Sequence, residues 1–257
     1  MKITVLAENT ACCKDLMAQH GLSLYIETNG KKILFDMGQD DTFIRNAQVL
    51  GIDLSCVDLA IISHGHYDHG GGLDAFLKIN SKAPVYIHEA AFERYYNGTE
   101  KYIGLDPSLR KHPRLIFTTG TVKISNGILL TDCNDLGWVS NSFGLKRAEG
   151  LRFHDDGFAH EQFLQITEEQ KRILISGCAH KGIVNIARYF LPDVLIGGFH
   201  LNKVEAHEEL AQIARTLKTT GGLYYTGHCT GTAQFEIMKQ IMGESLLNFS
   251  TGAVIQI

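Results

Sequence analysis

The apolar residues of this chain fall into short runs, some with the alternation of strands and some with the spacing of helices. Residues 57–62 form a nearly continuous apolar run, which is typical of a buried strand. Residues 22–27 and 31–35 flank Asn29-Gly30, a pair that strongly favours a β-hairpin turn. Residues 42–50 repeat apolar side chains with helical spacing. The predicted strands are 3–6, 22–27, 31–35, 57–62, 84–88, 115–119, 121–125, 128–133, 163–167, 172–176, 194–196, 223–226 and 252–257.

Six segments between these strands are predicted to be helices, and strands that alternate with helices indicate an α/β fold. Residues 97–113 and 135–156 show no clear period and are predicted to be irregular. Long loops in a compact protein are often functional, so these stretches could border a substrate cleft. Trp138, in the second stretch, could line that cleft or cover the core. The predicted helices are 42–50, 73–79, 89–96, 182–189, 206–218 and 232–242.

Residues 63–72, Ser-His-Gly-His-Tyr-Asp-His-Gly-Gly-Gly, directly follow a predicted strand. Within six residues this loop offers three imidazoles and a carboxylate, and its glycines let the backbone wrap tightly. His64 and His66 can hold one metal ion, while Asp68 and His69 can face a second ion roughly 3.5–4 Å away. The alternative is a polar surface loop that is rich in histidine by chance. We favour a metal-binding loop, because strand, glycine turn and helix supply the context that such a motif requires.

Three later strands each end in glycine followed within a few residues by a histidine, namely His180, His200 and His228. Ligands bind at the carboxyl ends of strands in α/β sheets, so we expect these histidines to meet the first loop. His200 could be a ligand or could move protons behind the metal ions. A hydrogen-bonded structural histidine is the alternative at each position. The remaining histidines are interpreted as surface or supporting residues: His20, His88, His112, His154, His160 and His207.

The motif His64-x-His66-x-Asp68-His69 after a strand resembles the signature of the metallo-β-lactamase superfamily. The resemblance implies an αββα sandwich of two mixed β-sheets flanked by helices, with two divalent metal ions at the sheet edge. Zinc is preferred over iron or manganese, and a water between the ions is the implied nucleophile. The implied ligands are His64, His66 and His180 for one ion and Asp68, His69 and His228 for the other.

The sequence departs from the superfamily pattern after the predicted strand 173–176. Many members place there an aspartate that bridges both metal ions, whereas this chain has Gly177-Cys178-Ala179-His180. Either His180 holds one ion alone, or the Cys178 thiolate forms the bridge, which would favour zinc. A third interpretation, that Cys178 is a small buried packing residue, is the one we prefer from sequence.

Several further stretches resemble one branch of the superfamily. That branch contains the methanopterin-pathway synthase that joins a dihydropterin to ribofuranosylaminobenzene phosphate. The main functional hypothesis is hydrolysis of a small ester, amide or phosphoester. Alternatives are a pterin-type condensing synthase with a phosphorylated aromatic substrate, or a di-iron redox or sensor protein on the same ligands. The stretches that carry the resemblance are 8–10, 21–23, 34–38, 177–185, 197–201 and 227–231.

The catalytic residues predicted from this interpretation are Asp68 and His200. Lys181 follows His180 and precedes a predicted helix, whose unpaired N–H groups favour anions. We therefore predict a substrate with a phosphate or carboxylate group, bound in part by Lys181. The alternative for Lys181 is a solvated surface charge.

The net charge of the chain limits the classes of molecule that it is expected to bind. The formal net charge of −4 and pI of about 6.3 give no basic surface for nucleic acid or anionic lipid, which leaves a small-molecule substrate. No apolar run is long enough for a membrane helix and no signal-peptide pattern is visible, so we expect a cytoplasmic protein. Six scattered cysteines suggest reduced thiols. Without a linker rich in Pro or Gly, residues 1–257 are expected to form a single domain, and a homo-oligomer stays an open alternative.

Overall fold

The computed structural model describes residues 1–138 and 142–257. Its strands are β1 (Lys2–Ala7), β2 (Ser23–Thr28), β3 (Lys31–Phe35), β4 (Leu59–Ile62), β5 (Val85–His88), β6 (Arg94–Asn97), β7 (Lys101–Tyr102), β8 (Leu115–Thr118), β9 (Thr121–Ser125), β10 (Ile128–Thr131), β11 (Leu145–Glu149), β12 (Arg152–Asp155), β13 (Phe163–Glu168), β14 (Lys171–Ile175), β15 (Val194–Ile196), β16 (Leu223–Thr226), β17 (Leu246–Asn248) and β18 (Val254–Gln256). The α-helices are α1 (Thr42–Val49), α2 (Tyr67–Gly70), α3 (Leu73–Ile79), α4 (Ile183–Phe190), α5 (His207–Thr219) and α6 (Thr232–Met242).

Two seven-stranded mixed sheets repeat one plan. The first has the order β18-β1-β2-β3-β4-β5-β8, and the second has the order β17-β16-β15-β14-β13-β10-β9. The pairs that join β3, β4, β5 and β8 are parallel, as are those that join β14, β15, β16 and β17. The other pairs in both sheets are antiparallel. Each sheet therefore presents neighbouring strand ends, from which several loops emerge at one edge.

Three apolar layers hold the sheets and helices together. Between the sheets, Ile26 and Ile61 from the first pack in one cluster with Leu164 and Ile175 from the second. The outer face of the first sheet is covered by α1 and α3, and that of the second by α4, α5 and α6. This arrangement confirms the predicted αββα sandwich of two mixed sheets flanked by helices.

A third sheet of four antiparallel strands has the order β12-β11-β6-β7 and is formed by the predicted helix 89–96 together with the stretches that were predicted to be irregular. The predicted helix 89–96 is wrong, because a short 3-10 helix, Glu89–Phe92, is followed directly by β6. The irregular stretches 97–113 and 135–156 are wrong in part, since they contain β7, β11 and β12. Trp138 packs against the core outside the second sheet, which favours the covering role.

Among the described residues, no helix combines the length and the apolar character that a membrane span requires.

Candidate metal centre

Two pairs of histidines converge where loops from the two large sheets meet. His64, after β4, places its Nε2 atom 3.3 Å from Nε2 of His180, after β14. Nε2 of His69 lies 3.1 Å from Nε2 of His228, which follows β16. Two nitrogen atoms bound tetrahedrally to one zinc ion at about 2.0–2.1 Å lie about 3.3 Å apart, so each pair has the spacing for one ion. The rings of His64 and His69 are 4.1 Å apart between centroids, so the two positions are neighbours.

Asp68 belongs to the second pair. Its Oδ2 atom lies 3.5 Å from Nε2 of His228 and 3.8 Å from Nε2 of His69. Nε2 of His20, which was predicted to be a surface or supporting residue, lies 3.2 Å from the same oxygen. The structure thus brings Asp68, His69 and His228 close together, with the half-exposed His20 at the solvent side of the group.

The Cys178 sulfur lies between the two pairs. Its Sγ atom is 3.1 Å from Nε2 of His69, and it clusters within 4.8 Å with His64 and His180 as well as with His69 and His228. Purely apolar packing, the interpretation preferred from sequence, does not describe this environment, because the sulfur faces ring nitrogen atoms from both sheets.

His66 lies beside the first pair but also faces a second set of residues. Its ring centroid is 4.6 Å from that of His64 and 5.0 Å from that of His180. Its Nε2 atom clusters with Asp156 and His160, and the Asp156 Oδ2 atom is 3.9 Å away. Asp156 and His160 are a buried pair at 3.0 Å. Asp156 lies in a stretch without a recognisable period, and His160 was predicted to be a surface or supporting residue.

Hydrogen bonds to the other ring nitrogen orient three of the histidines. His69 Nδ1 lies 2.7 Å from Oδ2 of the buried Asp36, and His64 Nδ1 lies 2.8 Å from the Ser63 hydroxyl, which itself donates to Asp36. His228 Nδ1 lies 3.1 Å from Oδ1 of Asn9. With Nδ1–H donated in each case, the Nε2 lone pair is left for a metal ion.

The close approach of the loop after β14 to the loop after β4 requires a glycine at position 177, where Gly177 stands. A Cβ atom there would lie 2.2 Å from Ser63 Oγ and 3.1 Å from His64 Nδ1. Any larger residue would therefore push the loop after β14 away from the loop after β4, since such contacts are far inside van der Waals distance.

The charges of the site divide the histidines into two states. Burial lowers the pKa of His64 and His180 well below the usual value, and burial lowers the pKa of His66 to about 4. These rings are neutral at pH 7, which is the form that binds metal. Burial also opposes charge on His69, but the carboxylates of Asp36 and Asp68 outweigh it and raise the pKa of His69 to about 9.

Asp68 is held in its anionic form. Burial acts to raise its pKa, but the facing His69 and hydrogen bonds from His20 and His228 lower the pKa of Asp68 well below the ordinary range. A carboxylate that stays charged and faces two imidazoles has the character of a metal ligand.

His200 lies close to the pairs but outside them. Its ring centroid is 4.2 Å from that of His180, and its metal-type cluster is with Cys178 and Cys229. Both ring nitrogen atoms of His200 are buried and lack a hydrogen-bond partner within the described part of the chain. The ring is therefore available to a substrate or a proton at the floor of the cavity.

Lys181 does not line the cavity, contrary to its predicted contact with a substrate anion. Its side chain is buried, and its ammonium group donates to the Asp132 carbonyl, the Asn134 side chain at 2.9 Å and the Glu161 carbonyl at 3.0 Å. Burial lowers the pKa of Lys181. The alternative of a solvated charge is equally wrong, because the three donors of the ammonium group are used within the protein.

An open cavity leads from solvent to the histidine pairs. The empty space within it, together with the open solvent at its mouth, amounts to about 630 Å³. Lys101 from β7 and Lys203 from the segment before α5 both line it, so the small third sheet contributes one wall. These lysines, rather than Lys181, are the cations that a bound anion would meet.

The donor set fits divalent metal ions. Among the described residues, the buried side-chain atoms without a hydrogen-bond partner are His66 Nε2, His180 Nδ1 and both ring nitrogen atoms of His200. Unpaired buried polar atoms are costly, and here all of them belong to imidazoles of one cluster. Imidazole nitrogen together with carboxylate and thiolate is the ligand chemistry of zinc.

Comparison with known proteins agrees with this geometry. The model of the metallo-beta-lactamase superfamily matches residues 17–220. The chain is 33% identical to the uncharacterized protein MJ0448 of Methanocaldococcus jannaschii, over 93% of this chain and 94% of that protein. It is 30% identical to 7,8-dihydropterin-6-methyl-4-(beta-D-ribofuranosyl)-aminobenzene-5'-phosphate synthase of the same organism, over 100% of this chain and 96% of the synthase. The crystal structure of Tm1679, described as a metal-dependent hydrolase of the beta-lactamase superfamily, superposes with a TM-score of 0.85 at 29% identity, covering 100% of this chain and 99% of that one.

Proposed function

Because the chain belongs to the metallo-β-lactamase superfamily, we propose that it is a metal-dependent hydrolase of small anionic esters, amides or phosphoesters. The observation that carries this proposal is the pair of neighbouring His–His sites, with Nε2 separations of 3.3 Å and 3.1 Å, at the floor of an open cavity. A purely structural cluster would not leave unpaired ring nitrogen atoms beside a solvent-accessible pocket.

Two ions would be held by the two pairs. His64 and His180, with His66 beside them, would hold one ion, and His69, His228 and Asp68 the other. Bound divalent ions would supply Lewis acidity and, near neutral pH, a nucleophile derived from water. Zinc is preferred over iron or manganese because imidazole and thiolate donors dominate the set.

Two side chains have the placement to move or orient protons. Asp68, anionic over a wide pH range, would accept a hydrogen bond from the attacking water and so fix its direction. His200 would donate a proton to the leaving oxygen or nitrogen as its bond to the carbonyl carbon or phosphorus breaks. The new bond joins the water oxygen to that carbon or phosphorus, and the water proton passes to solvent.

The proposal that the substrate is an anion is supported by two lysines in the wall of the cavity. Lys101 Nζ is 3.4 Å from the Tyr67 hydroxyl, and Lys203 Nζ donates to the Phe143 carbonyl at 2.7 Å. Both lysines keep N–H groups for a ligand, because each ammonium has three donors. A phosphate or carboxylate that enters the cavity would therefore meet cations on two sides before it reaches the histidines.

A second candidate is a pterin-type condensing synthase with a phosphorylated aromatic substrate. The specific support is the 30% identity to the dihydropterin synthase over the whole of this chain. The same lysines would bind the phosphate, and the metal ions would position the substrates without hydrolysing a bond.

An assay with anionic and neutral substrates distinguishes the hydrolase from the synthase. Zinc-loaded protein would be assayed with p-nitrophenyl phosphate, bis(p-nitrophenyl) phosphate and neutral p-nitrophenyl acetate, next to the near-isosteric Asp68→Asn variant. We expect turnover of an anionic substrate that depends on Asp68 and is lost on chelation. Turnover equal to that of the variant for every substrate would refute the hydrolase. Condensation of a dihydropterin with an aminobenzene ribofuranosyl phosphate would then establish the second candidate.

A further inference from the structure

Cys178 occupies a position that no other described side chain shares. It is the one residue common to a cluster with His64 and a cluster with His69, each with ligand atoms within 4.8 Å of one another. Asp68, the acidic residue of the motif, clusters with His20 and His228 and lies 3.8 Å from His69 Nε2, so its contacts are with the second pair. A ligand that serves both ions must lie between the two histidine pairs, and within the described chain the atom found there is Cys178 Sγ.

Hydrogen bonds hold the backbone on both sides of Cys178. Gly177 is confined against the loop of His64, as its contacts with Ser63 require, and its carbonyl accepts a hydrogen bond from Gly198 N at 2.9 Å. On the other side, Ala179 N donates to Ser176 Oγ at 3.1 Å. The next residue is held equally firmly, because the backbone N–H of His180 donates to Glu161. The backbone is thus held on both sides of Cys178, and the position of its Cβ atom relative to the histidines is set by these bonds.

The alternative to coordination is a thiol that merely donates a hydrogen bond. The 3.1 Å separation between Cys178 Sγ and His69 Nε2 would allow this bond. It would use the same Nε2 lone pair that the Asp36 contact leaves available for a metal ion. It would also leave the neighbouring His64 and His180 nitrogen atoms without a shared anionic ligand. Coordination serves both pairs with one atom, and the hydrogen bond serves one.

We propose that Cys178 binds both metal ions through a single bridging thiolate; this rests on the metal site of the proposed function. On binding, the S–H proton leaves to solvent and sulfur forms a bond to each ion. A soft bridging sulfur selects thiophilic ions such as zinc, cobalt or cadmium over magnesium, calcium or manganese. The chain would therefore differ in metal preference from proteins in which a carboxylate oxygen fills this position.

Cobalt substitution gives a readout that is independent of catalysis. Protein loaded with Co²⁺ would be compared by near-ultraviolet absorption, where thiolate-to-cobalt charge transfer appears, and by elemental analysis. The variants are Cys178→Asp, which keeps an anionic bridge, and Cys178→Ala, which removes it. Matched controls are Cys229→Ser, next to the site, and Cys133→Ala, a buried cysteine in the core outside the second sheet.

We expect the charge-transfer band in the wild type and in both control variants, and its loss in both Cys178 variants. Cys178→Asp should retain two equivalents of cobalt, whereas Cys178→Ala should bind the ions at least about 10–100-fold more weakly. A band that survives in Cys178→Asp would overturn the proposal, as would its loss in Cys229→Ser alone. A wild-type protein that binds two ions without the band would overturn the bridge but leave the metal site. An intact band without any hydrolytic turnover would refute the hydrolase and leave the bridge standing.

Discussion

Asp36 is the buried carboxylate that orients His69, and the effect of its removal on folding stability can be calculated. Its Oδ2 atom lies 2.7 Å from His69 Nδ1, and it is completely buried. In protein stripped of metal, Asp36 and Asp68 together raise the pKa of His69 from 6.5 to about 9. A shift of about 2.5 units corresponds to about 3 kcal/mol of folding stability at 1.36 kcal/mol per unit. Replacing Asp36 by Asn should remove a large part of it.

The sign of the pH dependence follows from the raised pKa. The folded protein binds the His69 proton more tightly than the unfolded chain, so the stabilisation is complete below pH 6.5 and is lost as pH rises through about 9. The lowered pKa values of His64 and His180 act in the acidic range instead, where stability falls as pH drops below 6.5. Between about pH 7 and pH 10 the contribution of His69 therefore changes while those of His64 and His180 stay constant, and comparison with a variant that lacks Asp36 separates the His69 contribution from other groups that titrate in this range.

Urea denaturation of the chelator-treated wild type and the Asp36→Asn variant would measure this difference. The stability gap should shrink by about 1–2 kcal/mol between about pH 7 and pH 10, because about 2.5 kcal/mol of the His69 contribution is present at pH 7 and Asp36 supplies part of it. Asp74→Asn, which alters an exposed pair with Lys78, should change stability by less than about 0.5 kcal/mol at either pH. A gap between wild type and Asp36→Asn that stays constant over this range would refute the His69–Asp36 ion pair.

Four further substitutions test other parts of the site. His200→Ala should keep two equivalents of metal by elemental analysis while kcat falls about 10²–10⁴-fold, and loss of one equivalent would instead make His200 a ligand. Lys101→Ala and Lys203→Ala should each raise KM for an anionic substrate about tenfold, the equivalent of about 1.5 kcal/mol, and leave KM for a neutral ester unchanged; equal effects on both substrates would contradict a role in anion binding. Gly177→Ala, whose methyl group would lie 2.2 Å from Ser63 Oγ, should lower the free energy of unfolding by about 1–3 kcal/mol in urea titrations, and an unchanged midpoint would show that the loop has room to move.

The metal loop could be predicted because its signal is local. The apolar run 57–62 predicts a buried strand. The spacing of the loop that follows, with His64, His66, Asp68 and His69, can be recognised from this segment alone, without knowing which other segments it contacts. His180 and His228 could also be predicted, since each follows a strand of the same kind and strand ends share an edge. The structure brings these residues together at that edge.

The third sheet could not be predicted because its strands depend on remote partners. β6 pairs with β11, as in Arg94 opposite Ala148, and β7 has only two residues. Neither strand carries enough apolar alternation to be recognised alone, so β propensity becomes visible only after pairing. The prediction of a helix at 89–96 failed for the same reason. Residues 139–141, within the predicted irregular stretch 135–156, lie outside the described residues.

The orientation of the Lys181 side chain, and the carboxylates that support the histidines, could not be predicted because both depend on the tertiary structure. Lys181 lies next to a ligand in sequence, but its ammonium turns to the loop of Asp132 and to Glu161. Asp36 directly follows the predicted strand 31–35. This position at a strand end is the feature of the sequence that could have indicated a residue in contact with the metal loop. Asp156 had no such signal, since it lies in a stretch without a period.

Metal stoichiometry tests the central claim most directly. After reconstitution with zinc and desalting, elemental analysis should give two equivalents for the wild type and one each for His180→Ala and His69→Ala, because each variant breaks a different histidine pair. His88→Ala, a change to a buried histidine that pairs with Asp132 outside the cluster, should keep two equivalents. A wild type that retains one equivalent or none, or a His69→Ala variant that retains two, would contradict the account.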